Sequence, residues 1–221
     1  MHKAIYGGIT AYASGDQFQG SGEFGVVGFH PDYPGRSIRL LGLLVDRDFG
    51  IAAWQPAWFL VVPALVALLV ARPRHWPALA VPLLAGWATA TWVALTMQGY
   101  WWPGRQLVVV LPLAVLVVLV WLARARRAVL VAAVGLAVAG LGYYAALLVT
   151  GYVSNTTWVL APDDLVLHWP AALLLPDDRD LTTGDQIRYA AWVLVAAVTA
   201  LLALRTARRS GRAPAASRTS R

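Results

Sequence analysis

The sequence predicts an all-α, polytopic membrane helix bundle of about five transmembrane helices, with the N-terminus outside and the C-terminus cytoplasmic. Three observations lead there. Of the 221 residues, 59% are hydrophobic and only 13% charged, with a mean hydropathy of +0.60, a balance far from that of soluble domains. Five stretches are continuously apolar, over 54–71, 78–97, 107–123, 128–150 and 189–204, each near the roughly 20 residues that a helix needs to cross about 30 Å of hydrocarbon. Between them the arginines gather in alternate loops, the pattern of the positive-inside rule.

The first 54 residues form a polar segment punctuated by eight glycines from Gly7 to Gly35, and irregular or short-strand structure is expected there. No basic stretch leads into a short apolar core, so this is not read as a signal peptide. From Ser37 the apolar pattern of Ile38, Leu40, Leu41, Leu43, Leu44 and Val45 covers about two helical turns, too few to span. It reads as an interfacial or re-entrant helix near 38–48.

The five spans must be helices because lipid offers no water to satisfy free backbone groups, and continuous apolar runs exclude a barrel, which needs alternating segments. Pro63, Pro82 and Pro112 fall inside the spans and predict kinks. Along span four, Ala128, Ala132, Gly135, Ala139, Gly142 and Ala146 form a seam of small residues suited to close approach by another helix. Trp54, Trp58, Trp76, Trp101, Trp102, Trp121 and Trp192 lie near span ends, where indoles favour the headgroup layer. Trp87 and Trp92 are mid-span and are expected inside the bundle.

Orientation follows from charge. Arg72 and Arg74 follow span one; Arg124, Arg126 and Arg127 follow span three; a basic tail over 205–221 follows span five. The other side carries 1–54, the link 98–106 and the loop 151–188, which holds six Asp against two Arg. The net charge of +7 thereby divides into −4 outside and +11 inside, so what resembles a nucleic-acid signal is a topology signal, and no nucleic-acid partner is expected. With no Cys, disulfides, thiolate metal sites and cysteine nucleophiles are excluded; His2, His30, His75 and His168 lack ligand spacing, so no metal or cofactor is expected. The preference for Arg over Lys hints at a GC-rich bacterial genome.

Two segments are candidate sites. Asp46-Arg47-Asp48 places two carboxylates two residues apart, a spacing that binds divalent cations through oxygen or simply anchors a helix end. In the link, Tyr100, Trp101 and Trp102 form an aromatic platform suited to sugar faces or lipid headgroups, and Arg105 is placed to hold a phosphate bidentately. The same residues also suit an aromatic belt with a snorkelling Arg. The pairs Asp163-Asp164 and Asp177-Asp178 sit in the long loop, which reads as solvated.

The run Leu41-Gly42-Leu43-Leu44-Val45-Asp46-Arg47-Asp48-Phe49-Gly50, followed by a Pro-containing apolar span, and the later Trp101-Trp102-Pro103-Gly104-Arg105 with Leu111-Pro112-Leu113, resemble the C-terminal half of actinobacterial multi-pass proteins similar to GT-C glycosyltransferases of the protein mannosyltransferase type. The resemblance covers about residues 5–125. It implies a site at the outer face of the cell membrane that takes sugar from a polyprenyl-phosphate carrier, with Arg105 on the carrier phosphate, Tyr100, Trp101 and Trp102 stacking on sugar or carrier, and Asp46 and Asp48 in polar or metal contacts. The acidic first outer loop of that family has no counterpart here, and the helices are about half the expected number. The chain is therefore expected to be a fragment or subunit of such an enzyme, with partner membrane helices. The alternative is a noncatalytic membrane protein whose outer loops bind a partner or envelope lipid.

Overall fold

The computed structural model describes residues 33–94, 104–153, 173–177 and 181–211. Among these the structure is helical, without strands. A 3-10 turn, Gly35–Ile38, leads into α1 (Arg39–Val45), followed by the single-turn α2 (Ile51–Trp54). A 3-10 segment, Pro56–Leu60, runs into α3 (Val61–Ala71), and α4 (Trp76–Ala88) continues into a π-turn over Thr89–Val93. After a further 3-10 turn, Arg105–Leu107, come α5 (Leu111–Leu122), α6 (Arg127–Val153) and α7 (Thr183–Gly211).

Among the described residues two helices, Arg127–Val153 and Thr183–Arg208, are long and apolar enough to cross a membrane. Five were predicted, and the other three differ for local reasons. In the first, Pro56 opens a 3-10 segment capped by the Gln55 side chain, which accepts from the Ala57 N–H; Pro63 lies just past the change from 3-10 to α-helix at Val61. In the second, Pro82 is inside α4 as expected, and the helix widens into its π-turn before the described residues end at Ala94. The third starts late because Pro112 occupies the first turn of α5, where its missing N–H costs nothing. Pro112 therefore begins a 12-residue helix instead of kinking a longer one.

The long loop is also shorter than 151–188, since α6 runs on to Val153 and α7 begins at Thr183. Thr182 caps α7: its hydroxyl oxygen accepts from the Asp185 N–H at 3.2 Å and its O–H donates to the Asp185 carboxylate, a reciprocal capping arrangement.

One core joins α1 to α5 with the start of α7, and Leu43, Val45, Ala64, Leu83, Leu107 and Val117 are almost fully enclosed within it. The helix predicted near 38–48 is present as α1, with Leu43, Leu44 and Val45 buried and Leu40 half exposed. Leu175, from the loop read as solvated, is 0% exposed in the same core.

Helices α3 and α7 pack along each other. At the start of α7, the Asp185 carboxylate accepts from the Asp177 N–H and the Tyr189 hydroxyl donates to Ile38 O. One turn on, Trp192 stacks on Phe59, with ring centroids 4.5 Å apart and planes 6° from parallel. Helix α5 packs on α3 and α4. Helix α6 touches α2 and the 3-10 segment Pro56–Leu60 near its own midpoint. There Gly140 lies against the Gln55 carboxamide, which occupies the space a Cβ would need, and Tyr143 meets Trp54 edge-on at 5.8 Å. The predicted small-residue seam is not that contact: a Cβ on Gly135 or Gly142 would meet nothing within 4 Å. The buried stripe is Ala133, Gly140, Tyr143, Leu147 and Thr150, the face beside it.

Candidate functional site

The described carboxylates, Asp46, Asp48, Asp177 and Asp185, collect at one end of the bundle, where α1 stops and α7 starts. Asp46 ends α1 in an extended conformation, ψ 138°, and is 1% exposed. Its Oδ1 accepts from the backbone N–H groups of Asp48 at 2.9 Å and Phe49 at 2.6 Å, so the carboxylate closes a tight Asx turn. The Trp54 indole N–H then donates to Asp48 O at 2.9 Å, fixing the turn to α2.

Arg47 binds the returning chain twice. Its N–H donates to Pro176 O at 2.8 Å, and its guanidinium pairs with the Asp177 carboxylate while lying 3.7 Å from Asp48. This ion pair is held in place by Leu175 in the core beneath it and by Asp185, which joins Asp177 to Thr182 and Arg188.

The second predicted segment reaches the same end. Gly104 adopts φ 76°, the left-handed region that glycine enters without penalty, and a Cβ there would lie 2.5 Å from Ile51 Cγ2. Arg105 follows, exposed, as the first residue of its 3-10 turn. Asp46, Asp48 and Arg105 thus belong to neighbouring turns, the first two ending α1 and the third packed through Gly104 on α2. Tyr100, Trp101 and Trp102 lie outside the described residues, as do Asp163, Asp164 and Asp178.

Several polar residues of this end carried no sequence expectation. Arg36, 7% exposed, donates to Trp92 O at 2.9 Å, and Arg39 donates to Ala94 O at 3.0 Å; their i, i+3 spacing was the available signal. Together they satisfy carbonyls at the end of the π-turn. The mid-span Trp87 and Trp92 donate to Leu40 O and Ser37 Oγ, tying α4 to the chain before and within α1. Thr-x-x-Asp over 182–185 was a legible capping signal.

Chemically, this end is built to hold turns together. The Asp46 carboxylate holds two backbone N–H groups, and among the described residues no group of three His, Cys, Asp or Glu could hold a metal. Beside α2, a crevice of about 310 Å³ opens toward α6, lined by Trp54, Gln55, Tyr143, Tyr144 and Leu147 among others. Comparison with protein-family models, curated proteins and solved structures finds no match to this chain.

Proposed function

We propose that the chain is a multi-pass protein of the cell membrane with five spans, and that its carboxylate-bearing end faces outward as part of a GT-C-like glycosyltransferase using a polyprenyl-phosphate sugar. The observation that carries this reading is the meeting of two turns more than fifty residues apart in sequence, 46–50 and 104–107, through Ile51 and Gly104. Both belong to the segments that resemble the family. In this reading Arg105 receives the carrier phosphate at the mouth of the bundle, and Asp46 shapes the turn beside it.

Burial and length support the membrane. Val109, Val131, Leu194 and Leu202 are 84%, 65%, 63% and 54% exposed, and an apolar surface of this extent needs lipid or protein cover. The 3-10 segment and α3 together reach about 27 Å, because 3-10 turns rise faster than α-helix, close to the hydrocarbon thickness.

A photoactivatable polyprenyl phosphate, added to membranes containing the full chain, tests the reading. Labelling is expected to fall about tenfold in Arg105→Ala, the scale of a charge-assisted hydrogen bond, with Arg105→Lys intermediate. Equal labelling of wild type and Arg105→Ala overturns it. A second reading, a noncatalytic membrane protein, is favoured by the structural turn that Asp46 closes with two backbone N–H groups; labelling without sugar transfer in the presence of its native membrane partners selects it.

A further inference from the structure

The end opposite the carboxylates is made of arginine. Arg72 and Arg74 follow α3, Arg124 and Arg126 follow α5, and Arg205 and Arg208 lie in the last turns of α7, all exposed. Similar residue counts from shared contacts lead to three of them. Thirteen residues separate Phe59 from Arg72, and thirteen separate its stacking partner Trp192 from Arg205, along two helices that pack on each other. From the contact between Ile51 and Gly104, Arg72 lies twenty-one residues on and Arg124 twenty, along chains that again pack together. None of these arginines pairs with a described carboxylate, and the sequence has no acid between residues 49 and 162 or after 185.

Arg72 adds an observation of a different kind. It ends α3 at φ 44°, the one positive φ outside glycine among the described residues, in a conformation that suits glycine and disfavours any side chain. The side chain is held there: Nε donates to Leu69 O at 3.2 Å, and the guanidinium lies 5.8 Å over the Trp76 ring. A strained backbone that keeps an arginine where glycine would relax points to a use for the guanidinium.

We propose that this arginine end binds the phosphates of a two-phosphate anionic phospholipid in the leaflet it faces. The inference rests on the membrane reading above. Arginines from three separate helix ends offer planar donor forks to more than one phosphate, and Trp76 beneath Arg72 suits the headgroup boundary. The patch grows directly from apolar helices, which favours a lipid headgroup over a soluble polyanion.

The full chain is reconstituted in nanodiscs of phosphatidylcholine with or without cardiolipin, and retained cardiolipin is titrated by native mass spectrometry. Each arginine removed is expected to weaken retention roughly fivefold, so Arg72→Ala with Arg205→Ala loses far more than either alone. Arg47→Ala, at the opposite end, is expected to leave retention unchanged. Arg72→Gly is the discriminating variant, because its melting temperature is expected to hold or rise while cardiolipin retention falls. Unchanged retention in the double variant overturns the proposal, as does pyrophosphate binding equally tightly to wild type in phosphatidylcholine discs. A chain that fails to enter either disc overturns the membrane reading and this inference together, whereas insertion with arginine-independent retention overturns this inference alone.

Discussion

Asp46 is conspicuous in the sequence as half of an Asp-x-Asp pair, and its use was decided by where its oxygen points. Buried, with Oδ1 accepting two backbone N–H groups, it holds the turn that starts α2. Asp46→Ala leaves those donors unsatisfied and is expected to cost about 1–3 kcal/mol, read as a lower melting temperature in detergent. Asp46→Asn keeps an accepting oxygen and is expected to recover most of the loss; an Asn variant as unstable as Ala would assign the role to charge instead. Arg47 differs because its side chain is 36% exposed. A double-mutant cycle on Arg47→Ala and Asp177→Ala is expected to return a coupling below about 1 kcal/mol.

Among the elements, α6 shows the boundary of pattern reading most clearly. Its length and apolarity are legible in sequence, and so is a repeat of small residues. Which face it buries is not, because an Ala-rich helix offers small residues on several faces, and the choice falls to the one neighbour whose side chain fits. That neighbour is Gln55, seated on Gly140. Gly140→Leu is therefore expected to dislodge α6 and quench the docked arrangement of Trp54 and Tyr143, seen as increased protease cleavage and a shifted tryptophan emission. Gly135→Leu, with open space around it, is expected to change neither. At α7 the signal was local and sufficient: Thr182→Ala removes the capping hydroxyl and is expected to cost about 1 kcal/mol, measured as a drop in thermal midpoint.

Taken whole, the described carboxylates Asp46, Asp48, Asp177 and Asp185 share one end with Arg36, Arg39, Arg47, Arg105 and Arg188, while the other end carries exposed arginines without carboxylates among the described residues. The chain has no Cys, so single introduced cysteines report topology cleanly. Leu173→Cys, at the carboxylate-bearing end and 76% exposed, is expected to react with an impermeant maleimide in intact cells. Arg74→Cys is expected to react only after the membrane is opened. The reverse pattern, or labelling of both, contradicts the proposed orientation.

The sequence by itself determined that this chain is helical, where its longest apolar helices lie and how its charges alternate, because those properties depend on the period and composition of neighbouring residues. It also marked 46–48 and the link 98–106 as unusual segments. Only the tertiary structure decided that these two turns meet, that Leu175 leaves its acidic loop for the core, that Pro112 opens a helix rather than bending one, and that Arg72 accepts a strained backbone. Each of those outcomes depends on a partner distant in the chain or on the turn at which a helix begins, and hydrophobic periodicity is blind to both.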